Sequence, residues 1–114
     1  MKLWYSNSSP YARKARAVVQ YHQLQDHVEL LLATSGLDKN SPHNLDNPLG
    51  RLPALQRENG EWLYNSSLIA EYLDHLGTQP SLYGNSETRW EILRLHYLAD
   101  GILENEISIV PEKY

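Results

Sequence analysis

Cysteine is absent from the 114 residues, which excludes thiol–disulfide exchange, a disulfide framework and a zinc site built on thiolates. Histidine occurs at positions 22, 27, 43, 75 and 96, with no two at metal-ligand spacing, so no metal is expected. An excess of basic charge is lacking too. The formal net charge is −4, which excludes a global basic surface for nucleic acid and leaves only a local patch open. No apolar run approaches the length needed to cross a bilayer. The opening Met1-Lys2-Leu3-Trp4-Tyr5 reaches the polar Ser6-Asn7-Ser8-Ser9 before a signal-peptide core could form. The expected setting is the cytoplasm, without nucleic acid or membrane as partner. In that setting the sequons Asn7-Ser8-Ser9 and Asn65-Ser66-Ser67 carry no glycosylation.

What is present reads as a folded chain, 41% hydrophobic and 21% charged, long enough for one domain and part of a second. Residues 2–5 are apolar enough for a buried strand. Ser9 followed by Pro10 is helix-start chemistry, an N-cap and a proline at the first helical position. Ala12, Ala15, Val18, Val19 and His22 then recur at helical spacing, predicting a helix to about residue 24. Residues 27–33 read as a second strand. Residues 34–50 read as a loop, with room for one helical turn near 43–46. Strands over 54–57 and 61–64 flank Glu58-Asn59-Gly60, and a helix from Ser66 carries Leu68, Ile69, Tyr72, Leu73 and Leu76 to a stop at Gly77.

Residues 78–86 read as a linker. A long helix follows through Trp90, Leu93, Tyr97, Leu98 and Ile102, ending before Pro111, with Gly101 inside it at a cost of about 1 kcal/mol against Ala. Its apolar residues cover more than one face, as in a helix inside a bundle. The expectation is a fragment, or a chain whose missing contacts another chain supplies.

The strand–helix order matches the thioredoxin-like pattern, and three motifs sharpen it: Ser9-Pro10-Tyr11-Ala12-Arg13-Lys14, then Asn47-Pro48-Leu49-Gly50-Arg51-Leu52-Pro53-Ala54-Leu55, then Tyr64-Asn65-Ser66-Ser67-Leu68-Ile69-Ala70-Glu71-Tyr72-Leu73. In this order and spacing they resemble the N-terminal domain of bacterial glutathione S-transferases, and Ala99-Asp100-Gly101 resembles the opening of that family's helical C-terminal domain. The resemblance covers essentially the whole chain. It implies an α/β, thioredoxin-like domain (β-α-β-α-β-β-α) over 1–77 that binds glutathione. A linker over 78–86 and the start of a truncated all-α domain over 87–114 would follow.

A helix N-terminus offers unpaired N–H groups and a positive dipole end, which lower the pKa of a thiol held there. Ser9 could donate its hydroxyl proton to the sulfur of glutathione and so act as the catalytic residue. Ser6 and Ser8 are neighbours able to take the same role, Tyr5 is a competing donor, and Ser9 as a plain N-cap stays open. Arg13, Lys14 and Arg16 oppose the helix dipole; an anionic ligand, a solvated basic face or pairing across a dimer would each account for them. The resemblance further implies a cis Leu52–Pro53 bond, with the Leu52 backbone pairing with the cysteinyl part of glutathione. Tyr11 joins the glutathione-binding residues by the same resemblance. Lys39 and Arg51 are candidates for the glycine carboxylate, or ordinary surface charges.

Asn65 and Ser66 at a helix start form a cradle for the γ-glutamyl carboxylate. Where the family usually has Glu, Gln or Asp, Asn65 is neutral, which removes a salt bridge to the ligand amine. Asp100 is a candidate to reach that amine across a dimer, or to bond within its own domain. The implied function is glutathione transfer in detoxification: binding reduced glutathione, stabilising its thiolate and offering it to an electrophilic small molecule, in a homodimer with glutathione as co-substrate. A non-catalytic glutathione-binding or protein-interaction module is the alternative. The absence of cysteine closes thiol oxidoreduction.

Overall fold

The computed structural model describes residues 1–33 and 52–109, the side chains of 106–109 excepted. Strand β1 (Lys2–Tyr5) leads into helix α1 (Pro10–Tyr21), followed by β2 (Glu29–Leu32), β3 (Ala54–Gln56), β4 (Trp62–Tyr64), α2 (Ser66–Leu76) and α3 (Arg89–Ile109). The chain divides into two compact units, Met1–Gln79 and Pro80–Tyr114. Together they give a thioredoxin-like α/β domain and one long helix, the fold class expected. The helical turn foreseen near 43–46 lies outside the described residues. No helix among the described residues is long and apolar enough to cross a membrane.

In the first unit the sheet order is β2-β1-β3-β4. β1 runs parallel to β2 and antiparallel to β3, and β3 runs antiparallel to β4. The parallel pair needs a crossover, which α1 supplies. Successive strand residues point to opposite faces. Leu3 and Leu55, paired across β1 and β3, are fully buried, as are Ile69 and Leu73 of α2 and Ala12 and Ala15 of α1. Trp4 and Ala54, one step along, join Ala33 in a second cluster flanked by Leu31, Leu52, Trp62 and Tyr64. The two helices pack against each other and on the sheet. Small residues at 12 and 15 on α1 leave room for that approach.

The hairpin between β3 and β4 turns at Gly60, whose φ of +88° suits a residue without Cβ. The Arg57 guanidinium lies 5.0 Å from the centre of the Tyr72 ring and donates to Glu61 at 3.1 Å. Hydrogen bonding to Tyr72, then to Glu61, holds its pKa above the ordinary arginine value.

Helix α1 ends at Tyr21, earlier than periodicity predicts. The chain turns there through Gln23 at φ +56°, with Gln23 N–H donating to the Gln20 carbonyl and Leu24 N–H to that of Val19. This is a Schellman cap, and Leu24 and Val19, the two residues its longer hydrogen bond joins, are both buried. No glycine marks the stop, which is why periodicity ran past it.

In the second unit α3 starts at Arg89, three residues beyond Ser86, because Asn85 and Thr88 first form a turn of their own. Asn85 Oδ1 accepts from the Thr88 and Glu87 amides at 3.0 and 2.9 Å, and Thr88 Oγ1 accepts from the Asn85 amide at 3.0 Å. Leu93 and Asp100 are buried, whereas Trp90, Leu95, Tyr97, Leu98 and Ile102 are exposed.

Candidate functional site

The register of the sheet decides where the three sequence motifs go. Trp4 pairs with Ala54, and Ala54 pairs with Tyr64. The end of β1, the start of β3 and the end of β4 therefore lie side by side, about 4.8 Å apart per strand. Segments leaving that one end of the sheet carry Ser9, Leu52–Pro53 and Asn65–Ser66. Residues scattered over fifty-odd positions of sequence thus leave the same end of the sheet, the end from which α1 and α2 both start.

Ser9 is the N-cap of α1, in extended backbone at φ −78° and ψ 117°. Its Oγ accepts from the Ala12 amide at 3.1 Å and its carbonyl accepts from the Arg13 amide at 3.1 Å. Because the oxygen is the acceptor in the cap, the hydroxyl hydrogen is left to be donated to a further group. No acidic residue stands in the first turn of α1 to oppose an anion there. Ser9 is thus the cap of α1, with its hydroxyl hydrogen still to donate. Of its neighbours, Ser8 is exposed, and Ser6 Oγ accepts from the Ser9 amide at 3.2 Å. Tyr11 sits half-buried on the first turn.

Each of the three basic residues of α1 makes a contact within the first unit, and Arg13 is exposed. Arg13 reaches the Asn7 carbonyl at 3.5 Å, and Lys14 Nζ donates to Ser67 Oγ at 3.4 Å. The Arg16 guanidinium lies 4.5 Å from the centre of the Tyr5 ring, a cation–π contact. That contact also engages the ring of Tyr5, the competing donor.

The Leu52–Pro53 peptide bond is cis, as the resemblance implied, and Pro53 is fully buried. Asn65 takes φ +80° and ψ 120°, positive-φ backbone that Asn tolerates better than most residues. Its Oδ1 accepts from the Ser67 amide at 2.8 Å, and its carbonyl accepts from the Ile69 amide at 3.0 Å. Asn65 is therefore the cap of α2, with Ser66 and Ser67 buried in the first turn. Ser67, linked to Lys14, is a residue the sequence reading passed over. Only its place directly after Ser66 hinted at it.

Lys39 and Arg51 lie outside the described residues. Asp100 belongs to the second unit, where it is buried with its Oδ2 3.7 Å from His96 Nε2, one turn earlier on α3. The His96 ring in turn packs against buried Tyr83, with centroids 5.8 Å apart. Asp100 thus has a partner within its own helix. Among the described residues, no three His, Asp or Glu side chains gather as a metal site would require.

Known proteins resemble this chain in sequence and fold. A family profile described as "Glutathione S-transferase, N-terminal domain" matches residues 8–76. A glutathione S-transferase of Methylobacillus flagellatus, solved with glutathione bound, superposes with a TM-score of 0.88 at 38% identity, over 97% of this chain and 54% of that one. A glutathione transferase family member of Pseudomonas fluorescens, also solved with bound glutathione, gives 0.82 at 35% identity, over 93% and 53%. The uncharacterized GST-like protein YibF of Escherichia coli is 29% identical, over 99% of this chain and 55% of its own length. The chain spans about half the length of each of these relatives.

Proposed function

The chain belongs to the glutathione S-transferase family through its N-terminal domain, and from that premise we propose that it binds reduced glutathione and stabilises its thiolate through Ser9. The observation that carries this reading is the convergence of Ser9, Leu52–Pro53 and Asn65–Ser66 at one end of the sheet, with the Ser9 proton available beside the start of α1. The solved relatives that hold glutathione support it. The cysteinyl backbone pairs with Leu52, and the sulfur sits before Ser9 and Tyr11. The γ-glutamyl carboxylate meets the first turn of α2 at Asn65 and Ser66, while Lys39 and Arg51 serve the glycine carboxylate.

A helix N-terminus contributes up to about 2 kcal/mol to an anion, and a hydrogen bond to a charged group about 1.5–3 kcal/mol. Two such effects raise the thiolate population by one to three orders of magnitude, roughly tenfold for every 1.4 kcal/mol. The thiolate then attacks an electrophilic carbon, the C–S bond forming as the leaving group departs with its electron pair. Positioning and charge stabilisation supply the catalysis. In the whole protein we place this half, residues 1–77, in a cytoplasmic homodimeric detoxification enzyme, with Asp100 serving the ligand amine across the dimer.

Ser9→Ala tests the reading. It should leave glutathione binding largely intact while removing the bound thiolate's ultraviolet absorbance near neutral pH. Millimolar glutathione that neither raises the melting temperature nor retains the chain on immobilised glutathione would sink the binding claim itself. A second reading, a glutathione-binding module without catalysis, is favoured by the neutral Asn65, whose amide oxygen is committed to capping α2. It prevails if the bound thiol titrates as it does in free glutathione.

A further inference from the structure

We infer that Ser6 is a positioning residue for the Ser9 hydroxyl, acting on the thiolate through Ser9 and not by touching the sulfur. This inference rests on the proposed role of Ser9 as thiolate donor. Its basis is how the donors of the turn between β1 and α1 are distributed. Pro10 has no N–H. The Ala12 N–H is committed to Ser9 Oγ at 3.1 Å, and the Ser9 N–H to Ser6 Oγ at 3.2 Å. With both hydroxyl oxygens accepting inside the turn, the Ser9 O–H keeps its hydrogen for a group placed before the start of α1. Ser6, half-buried directly after β1, closes the turn from the strand side; the Arg13 guanidinium, 3.5 Å from the Asn7 carbonyl, holds it from the helix side. Asn7 and Ser8 between them are exposed.

The consequence is geometric. The orientation of Ser9 Oγ follows from the backbone torsions at Ser9, and these are pinned on one side by the helix and on the other by the Ser6 hydroxyl. Without that hydroxyl, the Ser9 amide must seek water or the incoming ligand. The peptide plane before Ser9 is then free to rotate, and the O–H no longer points at one place. A hydroxyl at position 6 is what matters, so threonine should serve and valine, of nearly the same shape, should not.

The test compares Ser6→Thr with Ser6→Val, together with Ser9→Ala and the Ser6→Val/Ser9→Ala double variant, by titrating the thiol of bound glutathione through its thiolate absorbance. Ser6→Val should lower the bound thiolate fraction near neutral pH about fivefold, the factor one ordinary hydrogen bond carries. Ser6→Thr should keep the wild-type fraction, and the double variant should match Ser9→Ala alone, as two residues acting in series require. Ser6→Val at the wild-type fraction overturns the inference. So does a further loss when Ser6→Val is added to Ser9→Ala, because Ser6 would then be contacting the sulfur itself. A wild-type thiol that titrates like free glutathione instead overturns the role of Ser9, and this inference with it. The valine and threonine variants are compared at equal melting temperature, so that a folding defect is read separately.

Discussion

The His22 imidazole donates from Nε2 to Asp74 Oδ1 across 2.8 Å, joining the end of α1 to the last turns of α2. Both side chains are buried, at 2% and 8% relative exposure. The other ring nitrogen, Nδ1, accepts from the Gln79 amide at 3.3 Å. A nitrogen that accepts cannot carry the proton, so the ring holds it on Nε2. Tyr21 meets the ring edge-on with centroids 4.7 Å apart. Gly77 lies flush against the imidazole, where a Cβ would overlap it. Gly77 is extended (φ −73°), so it ends α2 without the left-handed turn usual for a capping glycine, and its lack of a side chain serves the histidine.

Asp74→Ala should therefore destabilise the first unit by about 1–3 kcal/mol, because it strands a buried N–H donor without an acceptor. Asp74→Asn keeps an oxygen in the same place and should cost less. Urea midpoints of the two variants decide it. Equal losses would mean that the carboxylate charge, and not the hydrogen bond, is what His22 requires.

Gln23→Gly should stabilise the protein. Gln23 is exposed and holds φ +56° in the Schellman cap, a conformation that strains an L-residue with a Cβ by roughly 1 kcal/mol and that glycine adopts freely. Some of that gain is returned through the greater freedom of glycine in the unfolded chain. A rise of a few degrees in melting temperature is expected; a fall would show that the cap tolerates glutamine without strain.

At Asn65 two substitutions should move in opposite directions. Asn65→Ala removes the acceptor of the Ser67 amide and should cost about 1 kcal/mol. Asn65→Asp keeps the acceptor and adds a negative charge at the start of α2, worth about 0.3–1 kcal/mol. That gain depends on ionisation, so it is present above the carboxylate's pKa and lost as pH falls through it. Under the proposed function the added charge also meets the ligand amine and tightens glutathione binding. Thermal melts at neutral and acidic pH, paired with glutathione titrations, measure both effects.

Much of this protein was legible without coordinates. Ser9-Pro10 marked the start of α1 and Asn65-Ser66 that of α2, because capping acts over three or four residues. Periodicity put Ala12, Ala15, Val18, Val19 and His22 on one face, and all five are buried. Where local signals were missing the reading slipped. Gln23 in place of glycine hid the stop of α1, and the turn at Asn85 and Thr88 delayed the start of α3.

What no local pattern contains is which distant residues meet. Lys14 finds Ser67 across 53 positions, and His22 finds Asp74 across 52. The Arg16 guanidinium lies over the ring of Tyr5, on the strand before its own helix. The sequence by itself determined the N-terminal caps of α1 and α2, the helical faces and the three motifs in their order. Tertiary structure decided that those motifs share one end of the sheet, because only strand register sets Trp4 beside Ala54 and Ala54 beside Tyr64. Register is a property of paired strands and buried faces, fixed by packing over the whole unit, and no single segment carries it.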